Sequence, residues 1–276
     1  EGTLNLAQVQ AFLTTCIGIC NSDDKLFSLF IRTVYSCLGQ HGSDIIFQCI
    51  DFLTVGYKSA CGICDAAEYL LQFEQLPKDW IGPVIDKLSE PIFAAFQSVD
   101  TWDLQKDAEQ QDIMALMRSF IHLFASSLKF FQFINPQTYG VMKEFIKMSL
   151  NSHFDIPELV ESILDFIAQM LQHDPEPVFA EFSNGALNIL MNEQFDPNKR
   201  PWPKVCKRIL KLHREMMQAN PEKASQAIME TYTRFNGTME NISNYVEIVK
   251  LQLPREMNKA GMEWFVNFAN NRKLME

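Results

Sequence analysis

Apolar residues recur every three or four positions, in segment after segment, from Leu4 to the end of the chain. That is the period of an α-helix with one face turned to a core. In the first segment Leu6, Val9, Phe12, Leu13, Cys16, Ile17 and Cys20 share a face. In a later one Ile113, Leu116, Met117, Phe120, Ile121 and Phe124 do. Short polar breaks separate the segments, and no stretch alternates with the period of a strand. About thirteen helices are expected, in pairs of about 40 residues each. Helices joined by short breaks pack antiparallel. A lone pair leaves an apolar face open, so the pairs must stack. The expected fold is all-α, an α-solenoid of stacked antiparallel helix pairs. Proteins of that shape ordinarily hold other macromolecules.

The punctuation agrees with the period. Asn135-Pro136, Asp174-Pro175 and Asn220-Pro221 each place proline at a helix start, where its missing N–H is harmless. Asn135-Pro136 opens a helix with Val141, Met142, Phe145 and Ile146 on its apolar face. Asp155 is placed to cap a helix carrying Leu159, Val160, Ile163, Leu164, Ile167, Met170 and Leu171. Asp100 is placed to cap the helix over 103–128. Gly82-Pro83 and Pro91 are expected to kink or divide the segment over 79–96. Residues 1–276 read as a single helical repeat domain, with a bend expected at 194–203. The chain begins at Glu1 and is expected to be part of a longer protein.

Composition narrows the partners. The 276 residues are 47% hydrophobic, with 22 Phe, 13 Met and only 11 Gly. The formal net charge is −10. An acidic chain favours basic protein segments over nucleic acid or an anionic membrane. No membrane span is expected. The densest basic run is Lys204, Lys207, Arg208, Lys211 and Arg214, read as the solvated face of one helix. Seven Cys, an odd number set among apolar residues, read as reduced core residues of an intracellular protein.

Little in the chain suggests chemistry. Cys61 and Cys64 form a C-x-x-C without the strand of a redox site or the second ligand pair of a zinc site. Cys16 and Cys20 make a four-Cys site geometrically conceivable, but burial in packed helices is the simpler reading. None of the five His has a second His three to five residues away; His122, in an apolar helix, reads as a hydrogen-bonded core residue. Asp23-Asp24 has no further carboxylate one turn on and reads as capping. No phosphate-binding glycine loop or H-E-x-x-H is present. No catalytic residue, metal site or cofactor is assigned. Glu158, Glu161 and Asp165 form an acidic stripe opposite the apolar face of the 155–172 helix. With Trp202 they are the candidate partner-binding residues. Trp80, Trp102 and Trp264 also fall at helix ends, where packing between hairpins explains them.

The Pro-opened or Asp-capped helices at 135–151, 155–172 and 175–192, and their spacing, resemble HEAT-type repeats. The irregular, Phe-rich and acidic character is most similar to the karyopherin-β family of importins and exportins. The resemblance implies part of a nuclear transport receptor that binds cargo, the GTPase Ran and Phe-Gly nucleoporins. The alternative is a HEAT or MIF4G-like scaffold in translation or RNA processing, which a basic groove on the 204–214 helix would favour. A third reading is a helical enzyme with a site assembled from distant residues.

Overall fold

The computed structural model describes residues 57–74, 78–99, 107–151, 156–182, 196–199, 202–234 and 237–273, with isolated positions elsewhere. Among them every regular element is helical and none is a strand. Ten α-helical segments are present there, one of only three residues, against about thirteen expected for the whole chain. The helices expected over 4–53 lie outside the described residues, apart from isolated positions. The chain divides into two compact units, Glu1–Thr138 and Tyr139–Glu276. Of the expected bend at 194–203, only the turn at 196–199 and the helix start at 202–203 are described.

The first unit contains α1 (Tyr57–Leu70), α2 (Ile81–Gln97) and α3 (Ala108–Ser127), which runs into a 3-10 turn, Leu128–Phe133. Both α1 and α2 pack on α3. Its buried residues therefore spread over a wide arc, as for a helix with two neighbours. Phe120 is the centre, in edge-to-face contact with Phe93 and Phe124 at centroid distances of 5.8 and 5.9 Å. Ala108–Phe133 is long and apolar enough to cross a membrane by length and composition, where the sequence reading expects no such run. Of its apolar 18-residue window 61% is buried, the condition of a core helix. The cap of α3 is Asp107, seven residues beyond the expected Asp100. Its Oδ1 accepts from the backbone N–H of Glu109 and Gln110 at 2.9 and 3.1 Å. Pro91 does not divide α2: the helix continues through it, with Leu88, Ile92, Phe93 and Phe96 buried along one side.

The second unit takes in all but the first turn of α4 (Pro136–Asn151), then α5 (Pro157–His173), α6 (Trp202–Ala219), α7 (Pro221–Arg234), α8 (Met239–Val249) and α9 (Pro254–Lys273). Between α5 and α6, Pro175–Pro177 passes into a π-helical turn, Val178–Phe182; of the rest of the helix expected at 175–192 only isolated positions are described. Asp174 does not cap that segment with its side chain. It accepts from the Tyr139 hydroxyl at 2.9 Å and faces the Lys143 ammonium at 3.8 Å. The buried face of α4 carries Tyr139, Met142, Phe145 and Ile146, and Val141, an expected core residue, is 49% exposed. Ile156 occupies the N-cap of α5, without a side-chain bond, and Pro157 follows; Asp155 lies outside the described residues.

The last four helices meet in sequential order. Helix α6 packs on α7, α7 on α8, α8 on α9, and α9 returns to α6. Helix α7 also reaches α9 through Tyr232, whose ring lies 4.9 Å from Trp264 and 5.5 Å from Phe268, and α6 also packs on α8, so the four helices meet around one core. The ring closes on a fully buried cluster built from His213, Tyr232, Tyr245 and Phe265, with Trp264 at its edge. Helix α6 also packs on α5, so it is the most surrounded element of the unit.

Candidate functional site

The sequence of α6 separates two chemistries. Val205, Cys206, Ile209, Leu210, Leu212, His213 and Met216 are buried. The basic run lies on the opposite face. Arg208 reaches back to α5. Its Nε and Nη2 each lie 2.9 Å from Asp165 Oδ2, and its Nη1 is 3.3 Å from Glu161 Oε2. The acidic stripe and the basic run, two separate features of the sequence, therefore meet through Arg208. Glu161 and Asp165 are engaged within the chain; Glu158 is exposed at the start of the same helix. Trp202 is buried, 4% exposed, so it closes the packing at the start of α6 and is not a surface anchor. Trp80 and Trp264 are buried likewise, and Trp102 lies outside the described residues.

All of the basic run except Lys204 lines a groove of about 480 Å³ between α6 and the first turns of α9. Lys207, Arg208, Lys211 and Arg214, with Glu215 and Gln218, form one wall; Pro254, Met257 and Asn258 form the other. Proximity of α6 to α9 is set by Gly261, whose Cα faces the Leu210 side chain with no room for a Cβ. Arg214 Nη2 donates to the Gln252 carbonyl at 2.8 Å and ties the groove to the loop before α9. Lys211 lies 3.7 Å from Glu215, whose carboxyl burial pushes above its ordinary value against the pull of that lysine. Lys207 forms no ion pair among the described residues. The buried Oδ1 of Asn258 has no hydrogen-bond partner there. The arrangement can take an anionic group, an apolar side chain and a hydrogen-bond donor together.

Elsewhere the chemistry is that of a core. Cys61 and Cys64 are buried in α1, and burial holds the Cys64 thiol well above its usual range. Cys16 and Cys20 lie outside the described residues. No group of three or more His, Cys, Asp or Glu is placed to hold a metal among the described residues. The fully buried histidine is His213, whereas His122 is half-buried in α3. The α6–α9 pairing that makes the groove joins residues more than 40 apart, beyond the reach of helical periodicity. Gly261, inside a helix that Ala would favour, is the one sequence signal of that close approach.

No protein-family model matches the chain, and neither a curated protein nor a solved structure does.

Proposed function

We propose that this chain is a protein-binding helical scaffold, not an enzyme, and that the α6–α9 groove is one of its binding surfaces. The groove carries the reading: it gathers cationic, apolar and hydrogen-bonding groups, with one lining carboxylate, Glu215, beside Lys211. The transport-receptor version asks the acidic stripe of α5 to receive basic segments. Two of its three carboxylates already hold Arg208. The version resembling HEAT or MIF4G-like scaffolds in translation or RNA processing asks for a basic groove on the 204–214 helix, and the groove lies there. We favour that second version. The solenoid in this reading is irregular, since α6–α9 meet as a ring.

Affinity capture from cell lysate, with and without excess GTP-locked Ran and read by mass spectrometry, tests the assignment. Recovery of translation or RNA-processing factors with no Ran response is the expected result. Phe-Gly nucleoporins, or a recovered set that changes with Ran, would restore the transport reading. Recovery of no partner above a blank resin would overturn the scaffold reading itself.

A further inference from the structure

We propose that the α6–α9 groove binds an acidic amphipathic peptide helix, its carboxylates on Lys207, Lys211 and Arg214 and one aliphatic side chain against Pro254 and Met257. This rests on the scaffold reading and names the partner class for its groove.

The cations stand at positions i, i+4 and i+7 of one helix. With a rise of about 1.5 Å per residue they lie about 6 and about 4.5 Å apart along the axis. Carboxylates at the same intervals on a second helix meet them one for one. These charges are available. Arg208 is balanced by Glu161 and Asp165, but Lys207 has no acidic partner among the described residues. Arg214 bonds a carbonyl, which leaves its charge uncompensated. Lys211 is 59% exposed and only loosely held by Glu215.

The opposite wall is apolar. Pro254 and Met257 offer hydrocarbon and thioether surface, and the adjoining Leu253 is 58% exposed. An anchor side chain in an apolar groove is how amphipathic helices are held. Between the walls, the unpartnered Asn258 Oδ1 calls for a donor. A peptide amide or hydroxyl supplies one; a bare phosphate or carboxylate does not. Single-stranded RNA is the lesser fit. Its bases stack on aromatic side chains, and no aromatic residue lines this groove. A chain of net charge −10 also opposes a long polyanion, while a short acidic segment meets only the local cations.

The test uses a fluorescein-labelled peptide helix carrying Glu at i, i+4 and i+7 and Leu at i+3. A scrambled peptide of the same composition and an oligouridine serve as comparisons, all read by fluorescence anisotropy. The helix should bind at least about tenfold more tightly than either comparison. The variant K207E/R214E should lose about tenfold or more in affinity. K204E, on the exposed face outside the groove, should change affinity less than about twofold. Circular dichroism establishes that each variant is folded. Equal binding of the scrambled peptide, tighter binding of RNA, indifference to K207E/R214E, or no binding at all would overturn the proposal. Lysate capture separates the two levels. Partners kept by K207E/R214E would leave the scaffold reading standing and remove the groove; absence of partners for wild type would remove both.

Discussion

Nδ1 of His213 lies 2.7 Å from the Tyr245 hydroxyl, with both side chains fully buried at the centre of the α6–α9 ring. The rings meet edge to face, at 89°. Tyr232 packs edge to face on Tyr245 in the same core, and burial pushes Tyr232, Tyr245 and the buried Cys206 away from ionisation. Burial likewise pushes the His213 pKa down from 6.5 to about 3. This histidine folds neutral.

The sign of its pH effect follows. Below about 6.5 the unfolded chain binds a proton that the folded chain refuses. The stability contributed is therefore complete above about 6.5 and is lost as pH falls toward about 3, at up to about 1.4 kcal/mol per unit. His213→Gln should destabilise by about 2 kcal/mol at pH 7. Its deficit relative to wild type should shrink as pH is lowered from 7 to 4. Urea unfolding of both proteins across that range measures the difference. A deficit constant with pH would mean that His213 is protonated in the fold.

Two glycines in helices should respond oppositely to alanine. At Gly82 an added Cβ would collide with the Phe133 carbonyl oxygen, a backbone atom that cannot swing aside. At Gly140 no atom lies within 4 Å. Gly82→Ala should therefore destabilise by about 2 kcal/mol, the overpacking penalty outweighing the better helix propensity. Gly140→Ala should stabilise by about 0.5–1 kcal/mol. Calorimetry should show Tm moving in opposite directions. A rise for both would mean that α2 does not meet the 3-10 turn as closely as the structure has it.

How much of this was legible in the sequence depends on range. Every expected core residue of α5, from Leu159 to Leu171, is buried, and so are the six named on α3. One amphipathic period is enough to decide those faces. On α4 the expected face differs by a fraction of a turn: Val141 is exposed and Tyr139 is buried, its hydroxyl on Asp174, a partner 35 residues away that periodicity does not register. The same limit hid the binding surface. Glu161, Asp165 and the basic run were each visible as stripes, but a stripe does not say what it faces. Only the packing of α5 on α6 pairs them, and only the packing of α6 on α9 places Asn258 opposite Lys207, Lys211 and Arg214.

Lys78 is a structural lysine that periodicity gave no reason to single out. It is 8% exposed, and its ammonium donates to the carbonyls of Leu70, Leu71 and Phe73 at 3.4, 3.3 and 2.6 Å. These carbonyls lie at and just past the end of α1, where helix carbonyls lack intrahelical donors; that of Leu70 also accepts from the Phe73 N–H at 3.2 Å. Burial, then the Lys129 charge, holds its pKa below the usual lysine value. Lys78→Met keeps most of the stem and removes the donors. It should destabilise by about 2–3 kcal/mol and speed amide exchange in the last turn of α1. Unchanged exchange there would mean that water satisfies those carbonyls as well as the lysine does.

The Arg208 fork should differ in kind from the surface ion pairs. Glu161 is only 14% exposed, Asp165 30% and Arg208 33%. Lys223 and Glu176, by contrast, are 44% and 72% exposed. Two planar N–H···O bonds onto one carboxylate also fix Arg208 more firmly than a lysine is fixed on a mobile acid. Arg208→Met should destabilise by about 1–2 kcal/mol, because Glu161 and Asp165 are left close together without a cation. A double-mutant cycle with Asp165→Asn should give a coupling of about 1 kcal/mol that persists in high salt. The Lys223–Glu176 cycle should give a smaller coupling that salt abolishes. Equal couplings in the two cycles would place Arg208 among the solvated charges of α6, and the acidic stripe of α5 would again be open to an external basic partner.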